Sequence, residues 1–493
     1  MARKSSRPTT GEKYMGIVIR GGTVLTADLT TRADVYCDGG TIQALGPDVE
    51  VPTGTEVIDA SGCYVMPGGI DPHTHMQLPF MGTRVVDDFF TGTVAGVTGG
   101  TTMIVDFVIP DKGGSLLDAV DTWQERASIS ATDFGFHVAI TGWSEAVSEE
   151  MGVVTAERGI NSYKFFMAYK NAIMVSDEEL VAGFSRCREI GAIAAVHAEH
   201  GELVFHLQQE MLRRGITGPE GHPQSRPAEV EGEAAARAIS LAGVLGVPLY
   251  IVHIGAEQAA QAVTRARLAG QRVFGETLAG FLAVDDSVYY NEDWDFAASH
   301  VMSPCFKPKG HPEALWRALQ SGNLQTIGTD HCTFTVEQKR MGLEDFTKIP
   351  NGCGGIEDRM SIAWELGVNT GRITPNEFVA ATSTSAARIF NMHPQKGAIR
   401  VGSDADLVVF DPEKSKTISA QSQYQENDFN VFEGTTVKGV AVHSLSRGRH
   451  IWADGDVRAE RGAGRFVYRE PYGPAYAGID RRLALSTPRK VER

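Results

Sequence analysis

Residues 64–75 read YVMPGGIDPHTH and combine an apolar run with two histidines near its end. An apolar run of this length, punctuated by glycine and proline, is typical of a buried strand in a parallel sheet. Because alternate residues of an extended strand point the same way, His73 and His75 are expected to face one site together. The stretch therefore predicts a strand that ends in a pair of candidate metal ligands.

Seven further apolar runs follow along the chain, with segments long enough for helices between them. Eight strands that alternate with helices predict a (β/α)8 barrel of the TIM type over residues 67–394. The active sites of such barrels lie at the C-terminal ends of the strands. The candidate functional residues are therefore sought near the ends of the seven later runs, which end at Phe107, Thr141, Met167, Ala198, Ile254, Leu278 and Asp330.

The segments on either side of the barrel read as short strands joined by glycine and aspartate turns. Residues 15–66 and 395–470 are each too small to bury much apolar surface alone, so we expect one small β-sandwich built from both. Residues 1–14 are basic and polar and are predicted to be a disordered tail, with Met15 as an alternative start. Residues 471–493 are rich in glycine, proline and arginine and predict an arm available to a neighbouring subunit.

The composition is that of a globular protein with an acidic balance. Of 493 residues, 42% are hydrophobic and 22% charged, and the formal net charge is -15 at pH 7. Nucleic-acid phosphates and anionic membrane surfaces repel such a chain, so neither is an expected partner and a small molecule is. No apolar run is long enough to span a bilayer and no signal-peptide pattern is present, so we expect a cytoplasmic protein. The six cysteines form no CxxC pair, which disfavours a disulfide scaffold or a thiolate zinc site.

Three later runs also carry residues that bind metals well. His197 lies in AAVHAEH, His253 in YIVHIG and Asp330 in IGTDH. Each of them alone could be a satisfied buried polar residue, and the pair His73 and His75 alone could be two surface histidines. Together they make the residue inventory of a catalytic metal site, because imidazole and carboxylate groups are preferred zinc ligands.

Lys164 lies inside the apolar run SYKFFM, where an ammonium group loses its hydration at a cost of several kcal/mol. Two interpretations remain open. In the first, the side chain reaches the rim of the barrel or pairs with Asp330. In the second, burial lowers the pKa of the lysine until its neutral amine takes up carbon dioxide. The resulting carbamate has two oxygens and could bridge two cations about 3.5–4 Å apart.

The runs GGIDPHTHMQLPFMGT, GGTTMIVDF, SYKFFMAYK, GTDH and IPNG closely resemble the dihydropyrimidinase and hydantoinase family of amidohydrolases. The resemblance covers nearly the whole chain, and KGAIRVGSDADLVVFDP resembles the return into that family's β-sandwich. It implies hydrolysis of the cyclic amide bond of 5,6-dihydropyrimidines or 5-substituted hydantoins to N-carbamoyl amino acids. It also implies a homotetramer.

The resemblance further implies two zinc ions bridged by carboxylated Lys164. A hydroxide shared by the ions is expected to attack the ring carbonyl of a cyclic ureide. The more buried ion and the more exposed ion are expected to have separate ligands. These are His73, His75 and Asp330 for the buried ion, and His197 and His253 for the exposed ion.

Other residues gain catalytic or substrate-binding roles from the same resemblance. Asp330 is expected to accept the proton of the attacking water and deliver it to the leaving nitrogen. Tyr169 is expected to hydrogen-bond the scissile carbonyl oxygen. The main chain of Ser303 and Asn351 is expected to hold the ureide edge of the substrate, and the loop 76–84 to shape the pocket for the ring substituent.

Two positions depart from the family pattern. His200 stands where the family usually has asparagine, and Gly255 where it often has serine, but neither change removes a proposed ligand. Cys305 and Cys353 lie in loops expected near the substrate.

The remaining polar residues carry weaker expectations. Asp106 and Glu276, at strand ends, could orient ligands. Among the other histidines, His137 is expected to be a core or ligand-supporting residue. Four more are expected at the surface: His206, His222, His300 and His311.

Two alternatives stay open. Allantoinases and dihydroorotases resemble the same scaffold, but a dihydroorotase usually has an arginine directly after the HxH pair, where this chain has Met76 and Gln77. An acidic ring is therefore disfavoured as a substrate. The collapsin response mediator proteins resemble the family in fold, lack the metal ligands and act as binding scaffolds. All six proposed ligands are present here, which favours an enzyme.

Overall fold

The structure is a computed structural model that describes residues 16–479, 488 and 490–493. The predicted tail at residues 1–14 lies outside the described residues. So do residues 480–487 and 489 of the predicted arm.

Eight parallel strands form the centre of the molecule, and each pairs with the next one along the chain. A parallel bridge from Thr74 to His331 joins the first strand to the residues after the last, so the barrel is nearly closed. The (β/α)8 fold predicted from the sequence is confirmed. The barrel strands are Gly69–Thr74, Thr101–Val108, Asp133–Ile140, Ser162–Phe166, Ile193–His197, Leu249–Ile251, Val273–Leu278 and Thr326–Gly328.

Continuous burial explains why the barrel strands read as unbroken apolar runs. Every residue of the first five barrel strands is buried. Strands covered on both faces lose the alternation of polar and apolar residues that marks a half-exposed strand. A charged side chain within such a strand, as at Lys164, is therefore buried as well.

Helices follow the barrel strands and cover the outside of the barrel. Among the described residues they are Phe89–Thr98, Leu116–Ala127, Glu145–Arg158, Asp177–Ile190, Gly201–Arg213, Gly221–Gln224, Ala228–Leu245, Glu257–Leu268, Ala279–Ala283, Trp294–Ser299, His311–Gln320, Val336–Lys339, Arg359–Ala363, Pro375–Val379 and Ser385–Ile389. Turns of 3-10 or π type lie at Asp286–Tyr290, Arg340–Gly342, Phe346–Lys348, Trp364–Val368, Ala380–Thr384 and Pro474–Tyr476. No helix among the described residues has the length and apolar character that crossing a bilayer requires.

Local sequence sets the ends of the helices that follow the third and fourth barrel strands. The hydroxyls of Ser144 and Ser176 each accept a hydrogen bond from a backbone N–H three residues later, which satisfies a free donor of the first turn. The same two helices end at Gly159 and Gly191, with φ of 67° and 72°. A residue without a Cβ adopts this left-handed conformation without strain.

Both ends of the chain contribute to the small β-domain. One sheet contains strands from the N-terminal segment alone, in the spatial order Thr41–Gly46, Asp34–Asp38, Ile17–Arg20 and Glu56–Asp59. The other mixes the two ends, in the order Asp456–Val457, Arg449–Ala453, Thr436–Ser446, Leu407–Thr417, Tyr64–Pro67, Thr23–Leu25 and Thr30–Arg32. Two short hairpin strands, Pro79–Phe80 and Thr83–Arg84, lie apart from these sheets. The mixed sheet confirms that the two flanking segments fold together.

A buried ionic cluster joins the barrel to the small domain. Nζ of Lys396 lies 2.6 Å from Asp133, at the start of the third barrel strand, 2.6 Å from Asp406 and 2.9 Å from Asp404. The lysine side chain is only 1% exposed. Such a cation compensates the carboxylates, none of which could stay buried and charged alone without a large loss of hydration energy.

Residues 465–479 run back against the barrel. Arg469 is fully buried and donates a hydrogen bond to the carbonyl oxygen of Phe136. The backbone N–H of Tyr472 donates to the carbonyl of Gly191 at 2.8 Å. Residues 471–479 of the predicted arm therefore pack on their own barrel.

Candidate active site

A cavity opens at the C-terminal ends of the barrel strands. The nine residues predicted as metal ligands, catalytic groups or substrate anchors all line it: His73, His75, Lys164, Tyr169, His197, His253, Ser303, Asp330 and Asn351. The structure thus brings together side chains from separate strands and loops, as expected for a barrel active site.

Asp330 contacts both histidines of the first strand. Its Oδ1 lies 3.2 Å from Nε2 of His73 and 3.0 Å from Nε2 of His75. Nδ1 of His75 is buried without a hydrogen-bond partner among the described residues. A buried imidazole nitrogen without a hydrogen-bond partner costs free energy in a folded protein. The unpartnered Nδ1 of His75 therefore favours the presence of an additional ligand, such as a metal ion.

The other two histidines lie directly beside this group. The ring centres of His253 and His73 are 5.3 Å apart, and those of His253 and His197 are 4.5 Å apart. Ligand atoms of His73, His253 and Asp330 all lie within 4.8 Å of one another. The donor set is imidazole and carboxylate, which suits zinc.

Lys164 reaches into this group from the fourth strand and is 1% exposed. Its Nζ lies over the rings of Phe107 and Phe166, at 4.7 and 5.1 Å from their centres. The described residues offer it no hydrogen bond and no ion pair within 4.0 Å, so neither the rim position nor the pairing with Asp330 is adopted. Burial lowers the pKa of Lys164 to about 7, although Asp330 and Glu276 oppose the shift.

The charges around the site favour a bound cation. Burial by itself lowers the pKa of His73, but Asp330 and Glu276 outweigh it and raise the pKa to about 9. Positive charge is therefore stabilised at this point. Burial and the neighbouring His197 lower the pKa of His253 well below its usual range, which keeps this imidazole neutral and able to act as a metal ligand.

Two buried glutamates orient the histidines, and one of them, Glu199, was not predicted from the sequence. Oε1 of Glu276 accepts a hydrogen bond from Nδ1 of His73 at 2.7 Å. The other ring nitrogen, Nε2, therefore faces Asp330. Oε2 of Glu199 is 2.7 Å from Nε2 of His197, which leaves Nδ1 free. The only sequence signal for Glu199 is its position two residues after His197 in the run HAEH.

Three residues of the cavity have strained backbones. The φ angles of Tyr169, His253 and Asp330 are 63°, 39° and 54°. A non-glycine residue in this region costs about 1–3 kcal/mol and persists only where surrounding contacts hold it. Such strain is common where a side chain must be aimed at a reacting centre.

Tyr169, Ser303 and Asn351 form one side of the cavity. Tyr169 and Ser303 line the cavity together, and Nδ2 of Asn351 donates to Oγ of Ser303 at 3.2 Å. Burial raises the pKa of Tyr169, so its hydroxyl stays protonated and can donate a hydrogen bond.

Apolar side chains complete the cavity. Leu78 and Phe80, from the loop predicted to shape the pocket, line it together with three residues from other loops and strands, Ile109, Phe166 and Ile173. The ring centres of Phe80 and Tyr169 are 5.7 Å apart. Apolar side chains beside a set of convergent polar groups are typical of a pocket for a small organic molecule.

Two predictions about histidines are wrong. His222 and His300 were expected at the surface but are 1% and 4% exposed. Nε2 of His222 is 2.7 Å from the carbonyl of Met302, and Nδ1 of His300 is 2.8 Å from the carbonyl of Phe296. These backbone partners satisfy the imidazoles away from solvent.

The cysteines in the substrate loops are turned away from the cavity. The thiols of Cys305 and Cys353 contact the carbonyls of Arg226 and Ser299, at 3.6 and 3.4 Å. Cys332 is the cysteine that lines the cavity. All six cysteines lie among the described residues and none is disulfide-bonded.

The two departures from the family pattern have structural explanations. His200 caps the helix Gly201–Arg213, because its Nδ1 accepts a hydrogen bond from the backbone N–H of Leu203 at 3.4 Å. At Gly255, an added Cβ would lie 3.3 Å from the ring of Phe281, so a larger residue has little room.

Comparison with known proteins identifies the family of the chain. The model of the amidohydrolase family matches residues 64–442, which is most of the chain. The chain is 50% identical to a dihydropyrimidinase of Dictyostelium discoideum over 481 residues, which covers 97% of this chain and 96% of that protein.

Solved structures agree with the sequence comparison. A dihydropyrimidinase from Brevibacillus agri matches with a TM-score of 0.92 and 45% identity, covering 93% of this chain and 100% of that chain. A D-hydantoinase from a Bacillus species, AR9, matches with a TM-score of 0.90 and 46% identity, covering 92% and 99%. The chain belongs to the dihydropyrimidinase and D-hydantoinase branch of the amidohydrolase family, which confirms the family predicted from the sequence.

Proposed function

We propose that this protein hydrolyses the cyclic amide bond of 5,6-dihydropyrimidines or 5-substituted hydantoins and releases N-carbamoyl amino acids. The observation that carries the proposal is the convergence of four histidines, Lys164 and Asp330 on one cavity. Relatives that share about half of its residues and nearly its full length are named dihydropyrimidinase, which supports this substrate class.

Two zinc ions are the cofactor that fits these residues. His73, His75 and Asp330 are assigned to one ion and His197 and His253 to the other. Lys164, as its carbamate, is assigned to both. Bound zinc supplies Lewis-acid chemistry, since it polarises a carbonyl and lowers the pKa of water to near neutrality. The unpartnered Nδ1 of His75 and the depressed pKa of Lys164 support this assignment.

Asp330 is the proposed proton carrier. Burial by itself raises the pKa of Asp330, but His73 and His75 outweigh it and hold the pKa well below its usual range, so the carboxylate is ionised at neutral pH. It accepts a proton from the attacking water, whose oxygen forms the new bond to the ring carbonyl carbon. The carbon–nitrogen bond then breaks, and Asp330 returns the proton to the leaving nitrogen.

Tyr169 and the loops around it position the substrate. The protonated hydroxyl of Tyr169 donates to the carbonyl oxygen as negative charge develops on it. The main chain of Ser303 and Asn351 holds the ureide edge. The apolar wall that includes Leu78 and Phe80 accepts the substituent of the ring.

A homotetramer and a cytoplasmic location complete the proposal. Val244 and Leu268 are 83% and 82% exposed on neighbouring helices, which supports burial of this surface by another subunit. The six unpaired cysteines are consistent with a reducing compartment. Mass photometry of the purified protein tests the tetramer directly.

The decisive experiment is a substrate panel run beside a metal analysis. Dihydrouracil, a 5-substituted hydantoin, allantoin and dihydroorotate are offered to protein purified without chelator, and zinc is measured by mass spectrometry. We expect about two zinc ions per chain and turnover of one or both of the first two compounds. Turnover of the last two alone, or a metal-free protein that turns over none, contradicts the proposal.

A further inference from the structure

A buried polar chain that the proposed mechanism does not use begins behind His197. Glu199 is fully buried, and its Oε2 holds Nε2 of His197 at 2.7 Å. Its Oε1 has no hydrogen-bond partner among the described residues, and Nε of Arg226 faces it at 3.5 Å. Arg226 thus supplies a positive charge opposite the carboxylate that orients a proposed zinc ligand.

The guanidinium of Arg226 is connected to the proposed substrate-holding loop through His222. Nη1 of Arg226, a side chain that is 5% exposed, donates to Nδ1 of His222 at 3.3 Å. Because that nitrogen accepts, the proton of His222 resides on Nε2, which donates to the carbonyl of Met302 at 2.7 Å. Met302 directly precedes Ser303, whose main chain is the proposed anchor of the ureide.

The backbone of Arg226 holds the same loop from a second point. Its carbonyl accepts a hydrogen bond from Nζ of Lys307 at 2.8 Å and contacts the thiol of Cys305 at 3.6 Å. Lys307 in turn pairs with Glu231 at 2.9 Å, and both side chains are 2% exposed. The loop 302–307 is therefore fixed against Arg226 and cannot shift without breaking buried polar contacts.

We propose that Arg226 is a positioning residue that couples the ligand His197 to the substrate-holding loop at Ser303. Its guanidinium compensates the buried charge of Glu199. Its hydrogen bond to His222 fixes the position of the loop 302–307. Loss of either contact leaves a buried polar group without compensation, so the neighbouring ligand or loop moves. This inference rests on the proposed function.

Replacement of Arg226 by methionine and by lysine separates its two contacts. Arg226→Met removes both, and we expect the KM to rise about tenfold and one zinc per chain to be lost at an about tenfold lower chelator concentration. Arg226→Lys keeps a charge opposite Glu199 but cannot reproduce the forked bonds to His222 and Ser225. We expect this variant to hold zinc nearly as the parent does, with the KM still raised.

The control is Arg214→Met, which removes an exposed arginine paired with Glu210, and it is expected to change neither quantity. Thermal unfolding is recorded for every variant. Two results overturn the inference. One is a folded Arg226→Met variant with parental zinc retention and KM. The other is an Arg226→Lys variant whose zinc retention and substrate affinity both fall only in proportion to a fall in its melting temperature. If the methionine variant does not fold, the lysine variant decides. Parental protein without zinc or turnover overturns the proposed function instead.

Discussion

Glu276 accepts a hydrogen bond from His73 at 2.7 Å, and both side chains are almost completely buried. The carboxylate lies at the opposite end of the imidazole from Asp330, so it fixes both the orientation of the ring and the nitrogen that carries the proton. The backbone N–H of His253 donates to the same oxygen at 2.9 Å. One carboxylate therefore positions candidate ligands from two separate parts of the barrel rim.

Glu276→Gln is expected to lower zinc affinity by about 10–100-fold, because an amide oxygen is a weaker acceptor than a carboxylate and the amide can present its NH2 group instead. Competition with a chelator, read by residual zinc and independently of activity, measures the change. Glu257→Gln alters a half-exposed glutamate near the same barrel end and serves as the control. A Glu276→Gln variant with the zinc affinity of the parent protein would show that Glu276 does not support the metal site.

The pKa of Lys164 predicts the pH dependence of reconstitution. In metal-free protein the amine titrates at about 7, so its neutral, reactive form predominates above that pH and falls about tenfold per unit below it. At constant dissolved carbon dioxide, the rate at which added zinc restores activity should rise with pH up to about 7 and then level off.

Lys164→Ala is the matched variant for that experiment. It should regain no activity at any pH, and a small carboxylic acid is expected to restore part of it by replacing the carbamate oxygens. A reconstitution rate that keeps rising toward pH 10 would show an ordinary exposed amine, and near-normal turnover by the alanine variant would exclude the bridging role.

Tyr169→Phe is expected to lower kcat by about 10²–10³-fold with little change in KM, because the hydroxyl acts on charge that develops only in the transition state. Steady-state kinetics with dihydrouracil measure both constants. Tyr290→Phe, at a half-exposed tyrosine, is the control. An unchanged kcat would mean that another group stabilises the oxygen.

Lys396→Met is expected to destabilise the protein by about 3–5 kcal/mol, since it removes the cation that pairs with Asp404 and Asp406 and leaves Arg447 as the remaining cationic partner of Asp133. Urea denaturation at neutral pH gives the free energy of unfolding. Lys414→Met removes an exposed pair with Asp454 and should cost about 1 kcal/mol or less. Equal effects of the two substitutions would contradict the structural role of the buried cluster.

The barrel was predictable from the sequence because strands that are buried on both faces consist of continuous runs of apolar residues. The sixth strand shows the limit of this signal. Its apolar run extends to Ile254, but the strand ends at Ile251, because His253 turns into a left-handed conformation that no hydrophobic pattern encodes. The five candidate histidine and aspartate ligands were nevertheless predictable, since each lies near the end of such a run. Lys164 lies inside one and was selected because a charged residue is unusual there.

Contacts between distant residues were out of reach of the sequence alone. Glu276 and His73 are 203 positions apart, and nothing in either run indicates that their side chains meet. His222 was expected at the surface, yet it bonds the carbonyl of Met302 and is buried. Such partnerships depend on how loops pack over the barrel.

The mixed sheet also constrains how the chain acquires its structure during translation. Strand Tyr64–Pro67 pairs with Leu407–Phe410, so its partner is synthesised roughly 20–70 s later at 5–20 residues per second. Until then the N-terminal strands present open hydrogen-bonding edges to the surrounding medium. The nascent chain is consequently most prone to aggregation before its last hundred residues emerge from the ribosome. The yield of folded recombinant protein should therefore depend on the supply of chaperones and not on whether the enzyme is catalytically active.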